Sequence, residues 1–263
     1  MSALALERMR LEGNLRGSIQ RQELELHYQS IVNLSTGEIY KFEALVRWRH
    51  PQRGLILPSE FIPIAEDSGV IVPLSEWVLQ QMCDQMQAWA RHGLPALIGA
   101  VNISARQIRR QGIMRALDRF LRQARSASGH IEIELTESSL VQDIEHATAI
   151  LRGLHERGIR IALDDFGTGY SSLRLLKELP IDVVKIDQSF IADITTDADA
   201  ADIVQAIINM AHSLRLEVVA EGVETPQQAA LLKHWGCDAA QGFYFSPPLP
   251  AQGFIELLQQ QVS

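Results

Sequence analysis

Short apolar runs that end in, or carry, a polar residue recur along the whole chain. Seven of them contain a residue able to bind a metal or a phosphate: FEALV, GAVNIS, IEIELTE, IALDDFG, VVKID, VVAEGVE and AAQGFYF. An apolar run that stops at a charge is typical of a barrel strand that delivers a polar group to the open end of the barrel. The series therefore predicts an active site assembled from the ends of several strands.

Eight strands follow from this pattern. The runs ELHYQSIVNL and EIYKFEALVRW are separated only by the turn signal STG, which leaves no room for a helix, so these two strands should pair antiparallel. Six more strands are predicted at 97–103, 131–135, 159–164, 182–186, 217–220 and 238–243. Helical stretches between the later strands predict a parallel sheet with right-handed crossovers. The fold class is therefore α/β, a barrel that departs from the regular (β/α)₈ arrangement at its first hairpin.

The helices between the strands have recognisable ends. They are predicted at 74–93, 141–157, 199–214 and 251–261. Gly93 and Gly158 are suitable stop residues for the first two. Thr225, Pro226 and Gln228 have the arrangement of an N-cap, a first-turn proline and a capping-box glutamine, which predicts another helix start.

The N-terminal residues are interpreted separately from the barrel. Residues from about 3 to 22 have charges and leucines at helical spacing, which predicts an amphipathic helix. This helix could cap the barrel or lead from an upstream domain. The predicted division is 1–22 for the N-terminal helix or linker and 23–263 for the barrel domain.

Length and composition fit one such barrel. The chain has 263 residues, and this fold typically needs about 250. A formal net charge of −8 does not favour DNA binding. A membrane span needs about 20 apolar residues, and no apolar run in this chain approaches that length. The N-terminus lacks the apolar core of a signal peptide. Cys83 and Cys237 have neither disulfide nor metal spacing and are interpreted as buried thiols, so we expect a cytoplasmic protein.

Glu43 is the first strong candidate for chemistry. The period of a strand places Glu43, Leu45 and Arg47 on one face. A carboxylate that points into a barrel is costly unless it is paired or coordinated. Glu43 is therefore either a metal ligand or the partner of Arg47 in an ion pair.

Asp164 and Asp165 are adjacent carboxylates at a strand end, where they repel each other. Two cations at this point would make the arrangement tolerable, whereas the alternative is a turn with two solvated aspartates. The glycines of DDFGTGYSSL predict a flexible loop able to cover a ligand.

The remaining candidates are ambiguous when taken singly. Lys185 is either a surface lysine or a residue that positions a phosphate and a water, with Asp187 on the same face able to orient it. Asn102 is either a neutral oxygen ligand or a helix N-cap. Strand order places one set of residues around a common mouth: Glu43, Asn102, Glu134, Asp164, Asp165, Lys185 and Glu221. Hard oxygen ligands of this kind favour Mg²⁺ or Mn²⁺ over zinc.

A set of ordered motifs resembles a known family. EALVRW, VNIS, ELTE, DDFGTGYSSL, VKID, AEGVET and QGFYFSPP, in this order, are similar to the EAL-domain phosphodiesterases that hydrolyse cyclic di-GMP. The resemblance runs from about Glu23 to the C-terminus. It implies a modified TIM (β/α)₈ barrel with one antiparallel strand, and hydrolysis of cyclic di-GMP to linear 5′-pGpG with two Mg²⁺ or Mn²⁺ ions.

The resemblance also implies residue roles. One metal is expected on Glu43, Asn102, Glu134 and Asp164, and the second on Asp164, Asp165 and Glu221. Lys185 matches the lysine near the attacking water, and Glu137 matches the glutamate that holds the loop after Asp165. Asp187 and Glu224 complete the candidate catalytic set. Substrate contacts are expected from Gln29, Leu45, Arg47 and Gln241. Ser30 stands where the family commonly has proline, which we expect to loosen the strand after Gln29.

Two other functions compete with this hypothesis. A catalytically inactive receptor for cyclic di-GMP is the main alternative, but such modules usually lack a metal ligand or the loop motif, and both are complete here. An unrelated TIM-barrel lyase or isomerase with one Mg²⁺ is disfavoured by the Asp164–Asp165 pair and by the ordered motifs. The resemblance further leads us to expect a homodimer and, in a longer chain, an upstream sensor or cyclase domain.

Overall fold

The central strands of the protein form a closed ring. The computed structural model describes residues 3–108, 117–122, 129–137, 144–167 and 173–262. The strands within them are β1 (Leu24–Asn33), β2 (Ile39–His50), β3 (Gly54–Ile56), β4 (Ile98–Asn102), β5 (His130–Thr136), β6 (Arg160–Phe166), β7 (Val183–Ile186), β8 (Glu217–Ala220), β9 (Ala239–Ala240) and β10 (Leu249–Pro250). Eight of these described strands close the ring in the order β1-β2-β4-β5-β6-β7-β8-β9.

Strand β1 gives the barrel its irregular topology. It pairs antiparallel with both neighbours, β2 and β9, whereas the other pairings around the ring are parallel. The fold prediction, a modified TIM barrel with one antiparallel strand, is thereby confirmed. Strands β3 and β10 were not predicted, because they have only three and two residues and add to the outer ends of β2 and β1.

Helices surround the ring. Those with defined bounds are α1 (Ala3–Arg16), α2 (Pro58–Ser68), α3 (Ile71–Arg91), α4 (Ala105–Ile108), α5 (Ile144–His155), α6 (Leu173–Glu178), α7 (Gln188–Ile191), α8 (Ala198–Ser213), α9 (Pro226–His234) and α10 (Ala251–Val262). The predicted helix 141–157 begins outside the described residues. The sequence reasoning missed α2 and the short helices α4, α6 and α7. None of the described helices has both the length and the apolar character needed to cross a membrane.

The capping box predicted for α9 is present. The hydroxyl oxygen of Thr225 accepts from the Gln228 backbone N–H at 3.2 Å, and the Gln228 side-chain oxygen accepts from the Thr225 N–H at 3.0 Å. Pro226 occupies the first turn, where its missing N–H costs nothing.

The N-terminal helix packs onto the barrel but is shorter than predicted. It ends at Arg16, and residues 17–22 form turns rather than helix. Leu11 and Leu15 are buried, and Asn14 Nδ2 lies 3.0 Å from His50 Nε2 at the end of β2. The helix therefore covers one side of the barrel. The domain division at residue 22 stays a prediction.

The expected loosening of β1 after Gln29 by Ser30 stays a prediction. Ser30 pairs with Phe42 in β2, and the register of the pairing shifts just after it, between Ile31 and Val32. The fully buried Ser30 hydroxyl lies 2.9 Å from the hydroxyl of Ser246, so the side chains form a hydrogen bond. Serine therefore supplies a cross-connection here that proline lacks.

The interior of the barrel has an apolar middle layer. Its buried members are Ile31, Ala162, Val183, Val219 and Ala239. Small and β-branched side chains fill the narrow interior, and the barrel is packed rather than hollow. In β6 and β8, alternation then places charged residues two positions before and two positions after this layer: Arg160 and Asp164 around Ala162, and Glu217 and Glu221 around Val219.

The lower layer, at the amino ends of the parallel strands, is a closed ion-pair network. Lys41 Nζ lies 2.8 Å from both carboxylate oxygens of Glu132 and 3.2 Å from Oε1 of Glu217. Arg160 donates to the other oxygen of Glu217 at 2.5 Å, and the Tyr40 hydroxyl donates to Glu217 Oε1. Two cations face two carboxylates, so this layer carries no excess charge.

We expect Lys41→Met to lower the free energy of unfolding by about 3–5 kcal/mol, because it leaves the fully buried Glu132 without its main partner. Equilibrium unfolding in urea measures the loss. The double variant Lys41→Met/Glu132→Met, which removes both charges, should lose less than the single variant. A double variant as unstable as the sum of both single changes would contradict this account.

Glu217 should contribute to acid stability. Burial alone would raise its pKa, but Lys41 and Arg160 outweigh it and lower the pKa from its ordinary value to about 2. A depressed folded-state pKa stabilises the protein above pH ~4.5, and that stabilisation disappears as the pH falls toward ~2. The unfolding free energy of Glu217→Gln should therefore depend less on pH between about 4.5 and 2 than that of the wild type. Parallel pH profiles would rule out this role.

Candidate active site

The carboxyl ends of the barrel strands gather acidic side chains around one lysine. The predicted members are Glu43 in β2, Asn102 at the end of β4, Glu134 in β5, Asp164 and Asp165 in β6, Lys185 in β7 and Glu221 directly after β8. Apart from Asp165, which a distortion of β6 redirects, these side chains lie at the mouth of the barrel, above the apolar layer. The structure thus brings together the whole set that strand order predicted.

Lys185 lies at the centre of this cluster. Its Nζ is 2.7 Å from Glu221 Oε1 and 2.8 Å from Glu134 Oε2. It is also 3.3 Å from Asp164 Oδ1 and 3.6 Å from Glu43 Oε2. Burial would lower the lysine pKa, but the surrounding carboxylates outweigh burial and raise the pKa well above its ordinary value. Lys185 is 1% exposed and charged, so it is an interior residue and not a surface lysine.

Glu43 is held by amide groups from two other strands. Asn102 Nδ2 donates to Glu43 Oε1 at 2.6 Å, and Gln241 Nε2 donates to Glu43 Oε2 at 2.7 Å. Gln241 also donates to Oε1 of Gln29, which lies opposite Glu43 in the β1–β2 pairing. Burial opposes ionisation of Glu43, but the charge of Lys185 and these hydrogen bonds outweigh it and lower the pKa.

The alternative partner for Glu43 was Arg47. Arg47 Nη1 instead donates to the carbonyl oxygen of Val46 at 3.0 Å, while the carboxylate of Glu43 accepts from the amides described above. Arg47 is 9% exposed, four positions further along β2, with the partly buried Leu45 between them. Arg47 therefore lies further toward the open end of the barrel than Glu43.

The pKa values of the other carboxylates show how crowded the site is. Burial, together with the charges of Glu43 and Asp164, raises the pKa of Glu134 well above its ordinary value. Burial and the charge of Asp164 raise the pKa of Glu221 to about 8 despite the nearby Lys185. One ammonium group is therefore too little positive charge for this many carboxylates.

A distortion of β6 aims two adjacent carboxylates at the same place. The pairing of β6 with β7 shifts between Leu163 and Phe166, and Asp165 has a left-handed φ of 54°. In a regular strand Asp164 and Asp165 would face opposite sides of the sheet. The bulge turns Asp165 back toward the mouth. Each of Asp164, Asp165 and Glu221 thereby offers an oxygen atom within 4.8 Å of the others.

The donor set of this cluster is one that could hold a divalent cation. Within the described part of the chain, the buried oxygens Glu134 Oε1 and Gln241 Oε1 accept no hydrogen bond, and Asp164 Oδ1 lies 3.3 Å from Lys185 Nζ without forming one. A buried acceptor without a donor costs free energy unless another group satisfies it. Carboxylate and amide oxygens are hard ligands, which Mg²⁺ and Mn²⁺ prefer.

The other predicted catalytic residues lie around this cluster. Glu137 is buried directly after β5, and Glu224 is exposed beyond β8. Asp187 caps α7 by accepting from the Ser189 N–H at 3.0 Å, and its charge contributes to a raised pKa of Asp165, for which burial is the main cause. Its predicted effect on Lys185 stays a prediction. Residues 168–172 of the predicted loop motif lie outside the described residues.

Comparison with known proteins decides the family. The model of the EAL domain matches residues 12–248. The chain belongs to the EAL-domain family. In this EAL domain the name-giving residues are Glu43, Ala44 and Leu45 of β2, so the acidic cluster begins with the first residue of the family motif.

Two curated relatives are similar to this EAL domain over most of its length. The cyclic di-GMP phosphodiesterase NbdA of Pseudomonas aeruginosa is 44% identical over 255 residues, which cover 97% of this chain and 33% of that protein. The cyclic di-GMP phosphodiesterase PdeR of Escherichia coli K12 is 42% identical over 254 residues, covering 97% of this chain and 38% of that protein. The chain spans only about a third of the length of these relatives.

Solved structures are similar in fold. The structure of the PaMucR phosphodiesterase in complex with c-di-GMP has a TM-score of 0.87 and 42% sequence identity, covering 93% of this chain and 99% of that chain. The structure of the EAL enzyme Bd1971 with cAMP and cyclic-di-GMP has a TM-score of 0.90 and 32% identity, covering 98% of this chain and 70% of that chain.

The sequence reasoning missed a second use of Gln228. Its side-chain oxygen accepts from the N–H of Glu224 at 2.8 Å, and its amide nitrogen donates to the carbonyl oxygens of Ile191 and Ala192 at 3.1 and 3.3 Å. The side chain thus joins the segment after β8 to the end of α7. The capping pattern revealed the helix start, but no local signal could reveal a bond across 37 residues.

The left-handed conformation of Asp165 can be tested by substitution. Asn tolerates φ > 0, whereas a β-branched residue does not. We expect Asp165→Asn to keep the unfolding free energy close to that of the wild type, and Asp165→Val to lose about 1–3 kcal/mol more. Urea denaturation compares the variants. Equal stabilities for Asn and Val at this position would argue against the bulge.

Proposed function

We propose that this EAL domain hydrolyses cyclic di-GMP to linear 5′-pGpG with two divalent cations. The observation that carries the proposal is the cluster of five carboxylates at the mouth of the barrel: four of them surround Lys185, and the fifth, Asp165, lies beside Asp164 and Glu221. When all are ionised, they exceed the lysine by four negative charges, which two divalent cations would balance. The names of the similar proteins NbdA, PdeR and PaMucR support the same activity and ligand.

The residues divide into two ligand sets that share Asp164. Glu43, Asn102, Glu134 and Asp164 would hold one Mg²⁺ or Mn²⁺, and Asp164, Asp165 and Glu221 would hold the other. Bound there, the two ions would lower the pKa of a water molecule and offset the charge of the phosphodiester. The carboxylate array alone would repel a doubly anionic substrate.

The chain's own residues prepare this chemistry by fixing positions. Gln241 and Asn102 hold both oxygens of Glu43, so its carboxylate does not rotate. The ammonium of Lys185, at hydrogen-bond distance from Glu134 and Glu221, is placed to donate to the phosphate or to orient the attacking water. Water adds to phosphorus, the bond from phosphorus to the 3′ oxygen breaks, and that oxygen leaves with a proton as a hydroxyl group.

The edges of the mouth would receive the substrate. Gln29 and Gln241 border the cluster on one side, and Leu45 and Arg47 lie beyond Glu43 along β2. We assign these four residues to substrate contact, with the Arg47 guanidinium facing the phosphate or a guanine edge. Glu137 would hold the loop that follows Asp165, and Asp187 and Glu224 would support the catalytic set from outside the cluster.

The wider setting is part of the same proposal. We infer a homodimer, a cytoplasmic location and, in a longer chain, an upstream sensor or cyclase domain. The upstream domain is supported by the length of the relatives, which are about three times as long as this chain. The region that each shares with this chain is only one part of it.

The direct test is incubation of the purified chain with cyclic di-GMP and Mg²⁺ or Mn²⁺, followed by chromatography. We expect pGpG to accumulate. Intact cyclic di-GMP alongside tight binding would reject hydrolysis and select the receptor function instead.

Variants test the assigned roles. Glu43→Gln and Asp164→Asn should each lower kcat by more than about 100-fold, because a direct ligand should matter at least as much as the outer partners of a metal site. Lys185→Ala should lose most of its turnover and still bind nucleotide. Glu38→Gln, on the exposed turn before β2, is the matched control and should keep wild-type activity. Full activity of Glu43→Gln would refute the ligand assignment.

A further inference from the structure

Two glycines follow the acidic residues Asp165 and Glu221, whose strands β6 and β8 flank β7. Gly167 lies two positions after Asp165 with a φ of 100°, and Gly222 directly follows Glu221 with a φ of 68°. Such φ values favour glycine. Each glycine therefore fixes how the backbone leaves the strand end that carries a carboxylate.

The same short helix packs on both glycines. A Cβ atom added at Gly167 would lie 2.6 Å from Cε2 of Phe190, and one added at Gly222 would lie 2.4 Å from Cβ of Gln188. Both contacts are closer than a real Cβ tolerates, so the backbone at each glycine lies directly against α7. The helix is thus inserted between the strand ends of Asp165 and Glu221.

Helix α7 is fixed at both of its ends. Asp187 caps its start, and the chain enters it directly from β7, which carries Lys185. The buried side chain of Gln228 donates to the carbonyl oxygens of Ile191 and Ala192 at its end. Ile191 itself is fully buried. A single helical turn held in this way is rigid enough to act as a spacer.

We propose that α7, through the contacts of Phe190 with Gly167 and of Gln188 with Gly222, sets the separation of Asp165 and Glu221 and thereby their joint affinity for a divalent cation. The inference rests on the proposed function of the site. Phe190 and Gln188 are positioning residues, because they act through the backbone of their neighbours. Outer partners of metal ligands commonly change metal affinity by about 10–100-fold.

Mn²⁺ binding by isothermal titration calorimetry, with no nucleotide present, tests the proposal on the purified chain. Phe190→Ala should weaken Mn²⁺ binding about tenfold, and the milder Phe190→Leu should weaken it in the same direction by about threefold. In turnover assays of the Phe190 variants, the fold decrease in kcat should be larger than the fold increase in KM. Should Phe190→Ala fail to fold, Phe190→Leu decides the question.

Phe61→Ala is the matched control. Phe61 is a fully buried phenylalanine of α2 that contacts Trp48, and it is remote in sequence from Asp165, Glu221 and α7. The Phe61→Ala substitution should lower the melting temperature at least as much as Phe190→Ala does, and it should leave the Mn²⁺ affinity within about twofold of the wild type. Equal Mn²⁺ affinity in wild type and folded Phe190 variants would overturn the inference, as would equal weakening in Phe61→Ala. An affinity loss confined to the Phe190 variants would uphold it, even if cyclic di-GMP stayed intact and the proposed function failed.

Discussion

Repulsion among carboxylates at one end of a narrow barrel is the constraint on which the rest of this structure depends. Two unit charges 4 Å apart interact by about 4 kcal/mol at the effective dielectric of a protein surface, and more in the interior. Lys185 lies within 3.6 Å of an oxygen of four carboxylates and relieves part of that repulsion. Burial is the main cause of the raised pKa values of Glu134 and Glu221, and the charges of Glu43 and Asp164, which Lys185 only partly offsets, raise them further.

The two charged layers of the barrel illustrate the difference between structural and functional charge. Below the apolar layer, Lys41 and Arg160 match Glu132 and Glu217, and their contacts are short and mutual. Above it, the negative charge is in excess, and several oxygens have no donor in the described chain. A network that serves folding can be neutral and complete, whereas one that binds cations must keep unsatisfied oxygens. The balance of charge within each layer, rather than burial alone, therefore distinguishes a network that stabilises the fold from one suited to binding cations.

Much of the fold and the acidic set could be predicted because both depend on local pattern. Apolar runs that stop at Glu43, Asp164 or Lys185 identify strand ends, and the ends of parallel strands meet at one edge. The STG turn is too short to hold a helix, and this local feature indicated the antiparallel hairpin. Strands β3 and β10 escaped prediction because two or three residues carry no measurable periodicity, and α2 escaped because Pro63 lies inside it.

The part of the site that sequence could not supply is its geometry. Strict alternation would place Asp164 and Asp165 on opposite faces, and only the bulge at a left-handed Asp165 reconciles both with one cation cluster. Strand alternation does not specify that conformation, and the neighbouring contact of Phe190 with Gly167 comes from a different segment, the helix after β7. The sequence thus identifies which atoms take part, whereas contacts between distant segments determine whether those atoms lie close enough together to share an ion.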